Sequence, residues 1–218
     1  MDDLSPTRRS LLLAGGAAAA SLAGCLDSSG GGSEQPDGTA TVTTGSISTP
    51  VAGDPEADVT VAVYEDFACP HCATFNQEVY PDIRSEYVES GAIRYEHHDF
   101  PLPVDQNVSL EAPNAARAVQ DGVGDEAFFE YADLLFENQG SLGPDRYASL
   151  AREVDADPST VKTAAVEQAY EATIEADREG GIDAGVDRTP TALVNGERVE
   201  ASYEALSAAI DAAQSDST

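Results

Sequence analysis

Along the chain, short β-branched runs alternate with longer stretches whose apolar residues recur every three or four positions. The run Val59 to Tyr64, VTVAVY, predicts a buried strand. From Cys72 the apolar positions Phe75, Val79, Ile83, Tyr87 and Val88 follow helical spacing, with a bend expected at Pro81, whose ring removes a backbone donor, and an end at Gly91. Ala92 to His97, AIRYEH, predicts a second strand, and DFPLPV is a proline-rich exit. A strand, helix, strand order is the natural context for a parallel pair joined by a crossover. His97 and His98 are expected to end the second strand at the surface or the sheet edge.

Ser109 to about Arg178 reads as helix throughout, in four stretches: AARAVQ after Ser109, DEAFFEYADLLFEN, PDRYASLAREV after Gly143, and STVKTAAVEQAYEATIEADREG after Asp157-Pro158. No repeat period suggests a solenoid. Phe128 and Phe129 are expected in the helix core rather than in a substrate groove. After Gly180-Gly181, Thr191 to Val194 and Arg198 to Glu200 read as short strands about the hairpin signal Asn195-Gly196. A last helix starts near Ser202 and turns Leu206 and Ile210 inward. The helical stretch, about 109–180, is thus an insertion between the halves of an α/β unit.

Composition places this domain in a setting. Forty acidic residues stand against 11 basic ones in 218, a formal charge of -29, and Lys162 is the only lysine. That balance argues against nucleic acid, whose phosphates require neutralisation by Lys and Arg. Because the acids run through every segment rather than one tail, the charge reads as a solubility adaptation to concentrated salt, resembling proteins of salt-loving organisms. The N-terminus pairs Arg8 and Arg9 ahead of LLLAGGAAAASLAG, a run too short and too rich in Gly and Ala for a good transmembrane helix, and resembles a twin-arginine export signal. It ends in Leu22-Ala23-Gly24-Cys25, which resembles a lipoprotein cleavage box. Lipid anchor, disulfide partner and incidental thiol compete for Cys25; its place at the end of the apolar run favours the anchor, with residues 1–25 as an export signal that ends in the box. Residues 26–57, dominated by Gly, Ser, Thr, Asp and Pro, read as a flexible tether, in which the valine and isoleucine of TVTTGSIS are the candidates for a short edge strand; the folded domain is expected over 58–214.

The chemistry is concentrated in DFACPHCATF, residues 66–75, where a strand meets a helix. Three readings are open for its cysteine pair. Half a zinc site would need two more ligands, and beyond the motif the chain offers only Cys25, His97 and His98, so no metal is expected. A purely structural disulfide over so short a loop would constrain the unfolded chain little. A working dithiol fits best. Cys69 would sit at the helix N-terminus, where free amides and the helix dipole favour a negative sulfur, and Cys72 one turn on would resolve. His71 can donate to the Cys69 thiolate or place positive charge near it, and Pro70 shapes the first turn. No cofactor beyond the cysteines is implied.

YEDFACPHCATF, then EYVESGAIRYEHHDFPL, then a helical insertion, then RTPTALVNGE together resemble the DsbA-like branch of the thioredoxin superfamily, from about Pro50 to the C-terminus. The resemblance implies a thioredoxin-like α/β fold with the insertion between the N-terminal strand-helix-strand unit and the C-terminal hairpin and helix. It also implies thiol:disulfide exchange, with CPHC carrying the Pro-His dipeptide of strongly oxidising members. In that family a cis-proline faces the dithiol, and Thr189-Pro190 matches it, which carries these two residues over as substrate contacts. Many relatives have an acid six positions before the first cysteine. Here Val63 stands there, and strand alternation puts Glu65 on the same face as a substitute proton acceptor. Implied partners are exported proteins with thiols or disulfides, a membrane redox partner that restores the pair, and the membrane itself through the lipid. A reductase or isomerase with the same cysteines, and a non-catalytic lipid-anchored client-binding module, are the alternatives. Asn107-Val108-Ser109 is in addition a glycosylation acceptor pattern.

Overall fold

The computed structural model describes residues 46–216, so the export signal, Cys25 and most of the tether lie outside the described residues. Five strands form one sheet: β1 (Val51–Gly53), β2 (Thr60–Glu65), β3 (Arg94–Asp99), β4 (Thr191–Val194) and β5 (Glu197–Val199). The spatial order is β1-β3-β2-β4-β5, with β2 and β3 parallel and every other neighbouring pair antiparallel. Between β2 and β3 run α1 (Pro70–Glu78), α2 (Tyr80–Ile83) and a π-helical turn at Arg84–Val88; the chain leaves the α1 helix at Val79, two residues before Pro81. The mixed α/β fold is thioredoxin-like, as expected.

Residues 46–57, at the end of the segment read as a tether, are part of the folded body. The Val51 amide donates to Asp125 Oδ2 at 3.0 Å, the Ser48 carbonyl accepts from Gln120 Nε2 at 3.0 Å, and Val51–Gly53 pairs with β3. Composition hides this strand, because its hold is hydrogen bonding to an edge rather than burial of its own apolar face. Gly53 has φ +85°, and an added Cβ would run into the Ile93 carbonyl oxygen, so the edge approach depends on glycine.

Between β3 and β4 lie α3 (Val108–Gly122), α4 (Asp125–Glu137), α5 (Pro144–Ala151), α6 (Pro158–Glu167) and α7 (Glu171–Asp183), with α8 (Tyr203–Asp216) last. The Asp157 side chain caps α6 by accepting from the Thr160 amide at 2.7 Å, with Pro158 in the first turn. The long stretch expected as one helix is two. Gln168 takes a left-handed conformation at φ +52°, and the Tyr170 amide, instead of continuing the helix, donates to Asn114 Oδ1 on α3 at 2.6 Å. The Tyr170 hydroxyl reaches Asp121 on the same helix at 2.9 Å. These tertiary bonds override a continuous helical period. Conversely, α7 runs through Gly180-Gly181, where a break was expected, because Gly181 lies against the Phe100 and Tyr64 rings with room only for hydrogen.

Alternation along β2 divides the core. Val61, Val63 and Glu65 face the larger cluster, which includes Phe67, Phe75, Tyr95, Phe128, Phe129 and Phe136. Tyr64 faces a smaller cluster with Phe100, Val186 and Leu193. Phe128 and Phe129 are both buried, as the helical period predicts. Burial of each such ring contributes roughly 2–3 kcal/mol, and the concentration of aromatics under the C-terminal end of β2 makes a firm floor for the cysteine motif. The 195–196 turn has φ +48° and +83°, the conformation that Asn-Gly favours between paired strands, and Leu206 and Ile210 of α8 are fully buried.

Candidate active site

The loop that ends β2 is built on Asp66. Its carboxylate accepts from the Ala68 amide at 2.8 Å, the Leu102 amide at 2.7 Å and the Ser109 hydroxyl at 2.9 Å. The Cys69 amide donates to the Asp66 carbonyl at 2.9 Å. One buried acid therefore fixes the turn before the motif, the exit of β3 and the start of α3. Ser109 is buried by this bond, so the acceptor pattern at Asn107 spends its hydroxyl inside the fold.

Cys69 is the N-cap of α1, with extended backbone at φ -80° and ψ 121°, and Pro70 opens the first turn. The Cys69 carbonyl accepts from the amides of Cys72 and Ala73 at 3.1 and 3.2 Å. Cys72 lies one turn inward and is fully enclosed, whereas Cys69 is 5 % exposed at the surface of the site; both are free thiols. The two sulfurs have opposite acidities. Hydrogen bonding from the Cys72 thiol, helped by Thr189 and by the amides of Cys72 and His71, outweighs burial and lowers Cys69 from 9.0 to about 5. Burial, then the bond to Cys69 and the charge of Glu65, push Cys72 far above the ordinary thiol range. What His71 brings to the sulfur is its main-chain amide, while its ring is exposed.

The Thr189-Pro190 peptide is cis, and the Cys69 thiol faces the Thr189 carbonyl oxygen at 3.6 Å. The loop before β4 thus meets the dithiol where the motif pattern placed it. Thr189 is buried, and Pro190 is half-buried beside it.

Glu65 faces the core at the end of β2, only 3 % exposed. Burial raises its pKa; His97 opposes the rise, and the charges of Cys69 and Asp99 add to it. His97 corrects the surface expectation. It is 2 % exposed, with Nδ1 3.4 Å from Glu65 Oε2 and Nε2 3.4 Å from Asp99 Oδ1. Phe67 stacks on its ring at 5.4 Å between centroids, and Phe128 meets it edge-on at 5.2 Å. The reason lies in strand phase. β3 pairs His97 with Val63, so the imidazole points into the larger core, while His98 points the other way, stacks on Tyr64 and contacts Asp177 and Glu96. Burial works against a charge on His97, but the acceptor carboxylates of Asp99 and then Glu65, facing its two ring nitrogens, carry it up to about 9. Asp99 is held at about 2 against its burial by the Arg117 charge and by His97. Fully buried Arg117 donates to Asp99 Oδ2 at 2.7 Å and to Asp177 Oδ2 at 2.6 Å.

Gln139, in the helical turn after α4, contributes a contact that motif reading misses. Its Nε2 donates to the carbonyls of Phe67 at 2.8 Å and Cys69 at 2.9 Å, tying the insertion to the cysteine loop across about seventy residues. A lone Gln between helices carries no signal of such a role. Asp66 was visible inside the quoted motif, and His97 inside the second strand, but only the pairing register reveals their partners. No group of His, Cys, Asp and Glu suited to a metal occurs among the described residues.

Comparison with known proteins agrees with this geometry. The chain is 35% identical over 165 residues to Na(+)/H(+) antiporter NhaA 1 of Salinispora arenicola, covering 75% of this chain and 24% of that protein, so it spans about a quarter of the length of the first curated relatives it matches. It is 24% identical over 173 residues to disulfide bond formation protein D of Bacillus subtilis, covering 74% of this chain and 75% of the relative. The crystal structure of oxidised BdbD from Bacillus subtilis shares the fold, with a TM-score of 0.70 at 24% identity over 76% of this chain and 92% of that one. A family model described as thioredoxin matches residues 45–212, and the chain belongs to the thioredoxin family.

Proposed function

We propose that the protein is a DsbA-type thiol:disulfide oxidoreductase that works outside the cytoplasm, held to the membrane by lipid on Cys25, and oxidises the dithiols of exported proteins through a Cys69-Cys72 disulfide. The observation that carries the reading is the asymmetry of the pair. An acidic sulfur at a helix N-terminus lies beside the Thr189 carbonyl, 5 % exposed, and a fully enclosed thiol one turn behind it keeps its proton. That asymmetry favours the reduced pair with Cys69 as thiolate, which makes the disulfide a good oxidant.

A substrate thiolate attacks Cys69 Sγ, the Cys69-Cys72 bond breaks, and Cys72 leaves and takes up a proton. The second substrate thiolate then attacks the mixed disulfide and expels Cys69 as a thiolate. Thr189 and Pro190 hold the substrate chain beside the sulfurs through the backbone, Pro70 and His71 shape and polarise the first turn, and Glu65 exchanges the proton of Cys72. A membrane oxidant restores the disulfide. The relatives named disulfide bond formation protein and protein-disulfide oxidoreductase support the chemistry. The paired arginines, the apolar run and the Leu-Ala-Gly-Cys box support export and anchoring, and the charge of -29 supports a high-salt setting. The antiporter match covers a quarter of that protein and does not lead to transport; no helix among the described residues is long and apolar enough to cross a membrane.

The test is the equilibrium reduction potential of the pair in glutathione buffers at high salt, using protein without leader and lipid. A potential near that of the strongly oxidising members supports disulfide donation; one near thioredoxin's moves the reading to a reductase with an electron donor at the membrane.

A further inference from the structure

The proton of Cys72 needs a carrier. The thiol is fully enclosed, and its sulfur leaves as a thiolate each time the disulfide is broken. Glu65, 3 % exposed at the end of β2, lies on the strand face that meets the core cluster holding Cys69 and Cys72, and its charge acts on both. A carboxyl alone at that depth would stay neutral, since an unpaired buried charge costs several kcal/mol. What faces it decides whether it can give up its proton.

His97 faces it from the adjacent strand. The imidazole is clamped between the Phe67 and Phe128 rings, and its other nitrogen is directed at Asp99. Asp99 has its second oxygen on Arg117, so two cations share its charge, and the opposite edge of the His97 ring, at Nδ1, faces Glu65. The remaining ionisable neighbours of Glu65 are Tyr80 of the helical crossover, Tyr95 of β3 and Asp133 of α4. None of them is positive, so His97 is the cation in contact with this carboxyl.

We propose that His97 is a positioning residue for disulfide exchange: fixed by Asp99 and two phenylalanine rings, it pairs the carboxylate left when Glu65 hands its proton to the Cys72 sulfur. This rests on the oxidoreductase reading and deepens it. The electron pair of the substrate thiolate forms the bond to Cys69, the pair of the broken Cys69-Cys72 bond goes to the Cys72 sulfur, and the Glu65 proton follows it. When the disulfide is re-formed, the proton returns to Glu65. The imidazole beside this carboxyl is thus a working part of the site rather than an accident of a histidine-rich strand end.

The experiment is single-turnover reduction of the oxidised protein by a dithiol from about pH 5 to about pH 9, for wild type, Glu65→Gln, His97→Gln and the double variant. The expected result is a loss of about tenfold or more for each single variant at neutral pH, a displaced pH midpoint in His97→Gln, and a double variant no slower than Glu65→Gln. Single variants that keep the wild-type profile overturn the proposal. A second measurement needs no variant: the Glu65 carboxyl and His97 ring resonances are followed through pH in the disulfide and dithiol forms. Linked titration of the two, with a Glu65 midpoint that differs between the forms, is expected. A Glu65 that stays ionised and unchanged in both forms overturns the proposal whether or not the variants fold. Absence of exchange in the wild type would instead remove the oxidoreductase reading, and the resonances would still decide the Glu65-His97 pair.

Discussion

The Cys69 sulfur and the Thr189 carbonyl oxygen, 120 residues apart in sequence, face each other at 3.6 Å. A polypeptide laid along Thr189 and Pro190 therefore brings its own sulfur to Cys69 and not to Cys72, which lies behind. Cys72→Ser is expected to accumulate a mixed disulfide when its Cys69 thiolate attacks a disulfide-bearing peptide and expels one peptide sulfur as thiolate, and Cys69→Ser to lose exchange altogether. Mass spectrometry of the trapped species reads both outcomes.

The Gln139 amide holds the carbonyls on either side of Ala68. Its removal frees the Cys69 backbone from the position in which the first helical amides meet the sulfur. Gln139→Ala is expected to raise the Cys69 pKa by up to about one unit, the worth of one ordinary hydrogen bond. The change should appear in thiolate absorbance, with the melting temperature nearly kept.

Arg117 is buried without exposure and pairs with Asp99 and Asp177. Arg117→Met leaves Asp99 charged and without its guanidinium. Loss of about 3–5 kcal/mol in urea unfolding is expected, since breaking one side of a buried pair strands the other.

Gly181 stands where a Cβ would lie 2.8 Å from Phe100 Cδ2 and 2.9 Å from Tyr64 Cδ1. Gly181→Ala gains helix propensity but drives α7 off the sheet. A net loss of about 1–3 kcal/mol is expected, and Gly180→Ala, with open space at its Cβ, is the control that should not lose stability.

The pH dependence of the reduced fold follows from Cys69, whose folded value is depressed to about 5 from 9.0. A depressed acid stabilises the folded state fully above its unfolded value, and the gain is lost as pH falls through the folded value. The reduced protein should therefore exceed Cys69→Ser in stability at about pH 8, with the difference closing towards about pH 5. Denaturant titration of both proteins at the two pH values measures it.

Local patterns read well wherever they were self-contained. The β-branched run of β2, the Asn195-Gly196 turn, the Asp157-Pro158 start and the strand-to-helix placement of Cys69 all specify their structure within a few residues. Misreadings fall where a distant partner decides. Tyr170 leaves the helix because Asn114 takes its amide, Val51–Gly53 becomes a strand because β3 offers an edge, and His97 is buried because its register with Val63 turns it inward. The two cysteines were legible from spacing alone. The apparatus around them, Asp66 with three donors, Gln139 on two carbonyls and His97 between two acids, exists only through contacts that no period encodes.

The proposed function stands on Cys69 as an acidic nucleophile and Cys72 as a guarded thiol. Thiolate absorbance of the reduced protein, titrated from about pH 3 to about pH 10, tests it most directly. One sulfur is expected to ionise near pH 5 and the second to stay silent to the end of the range. Two sulfurs ionising together near the ordinary thiol value would contradict it, and with it the directionality assigned to the pair.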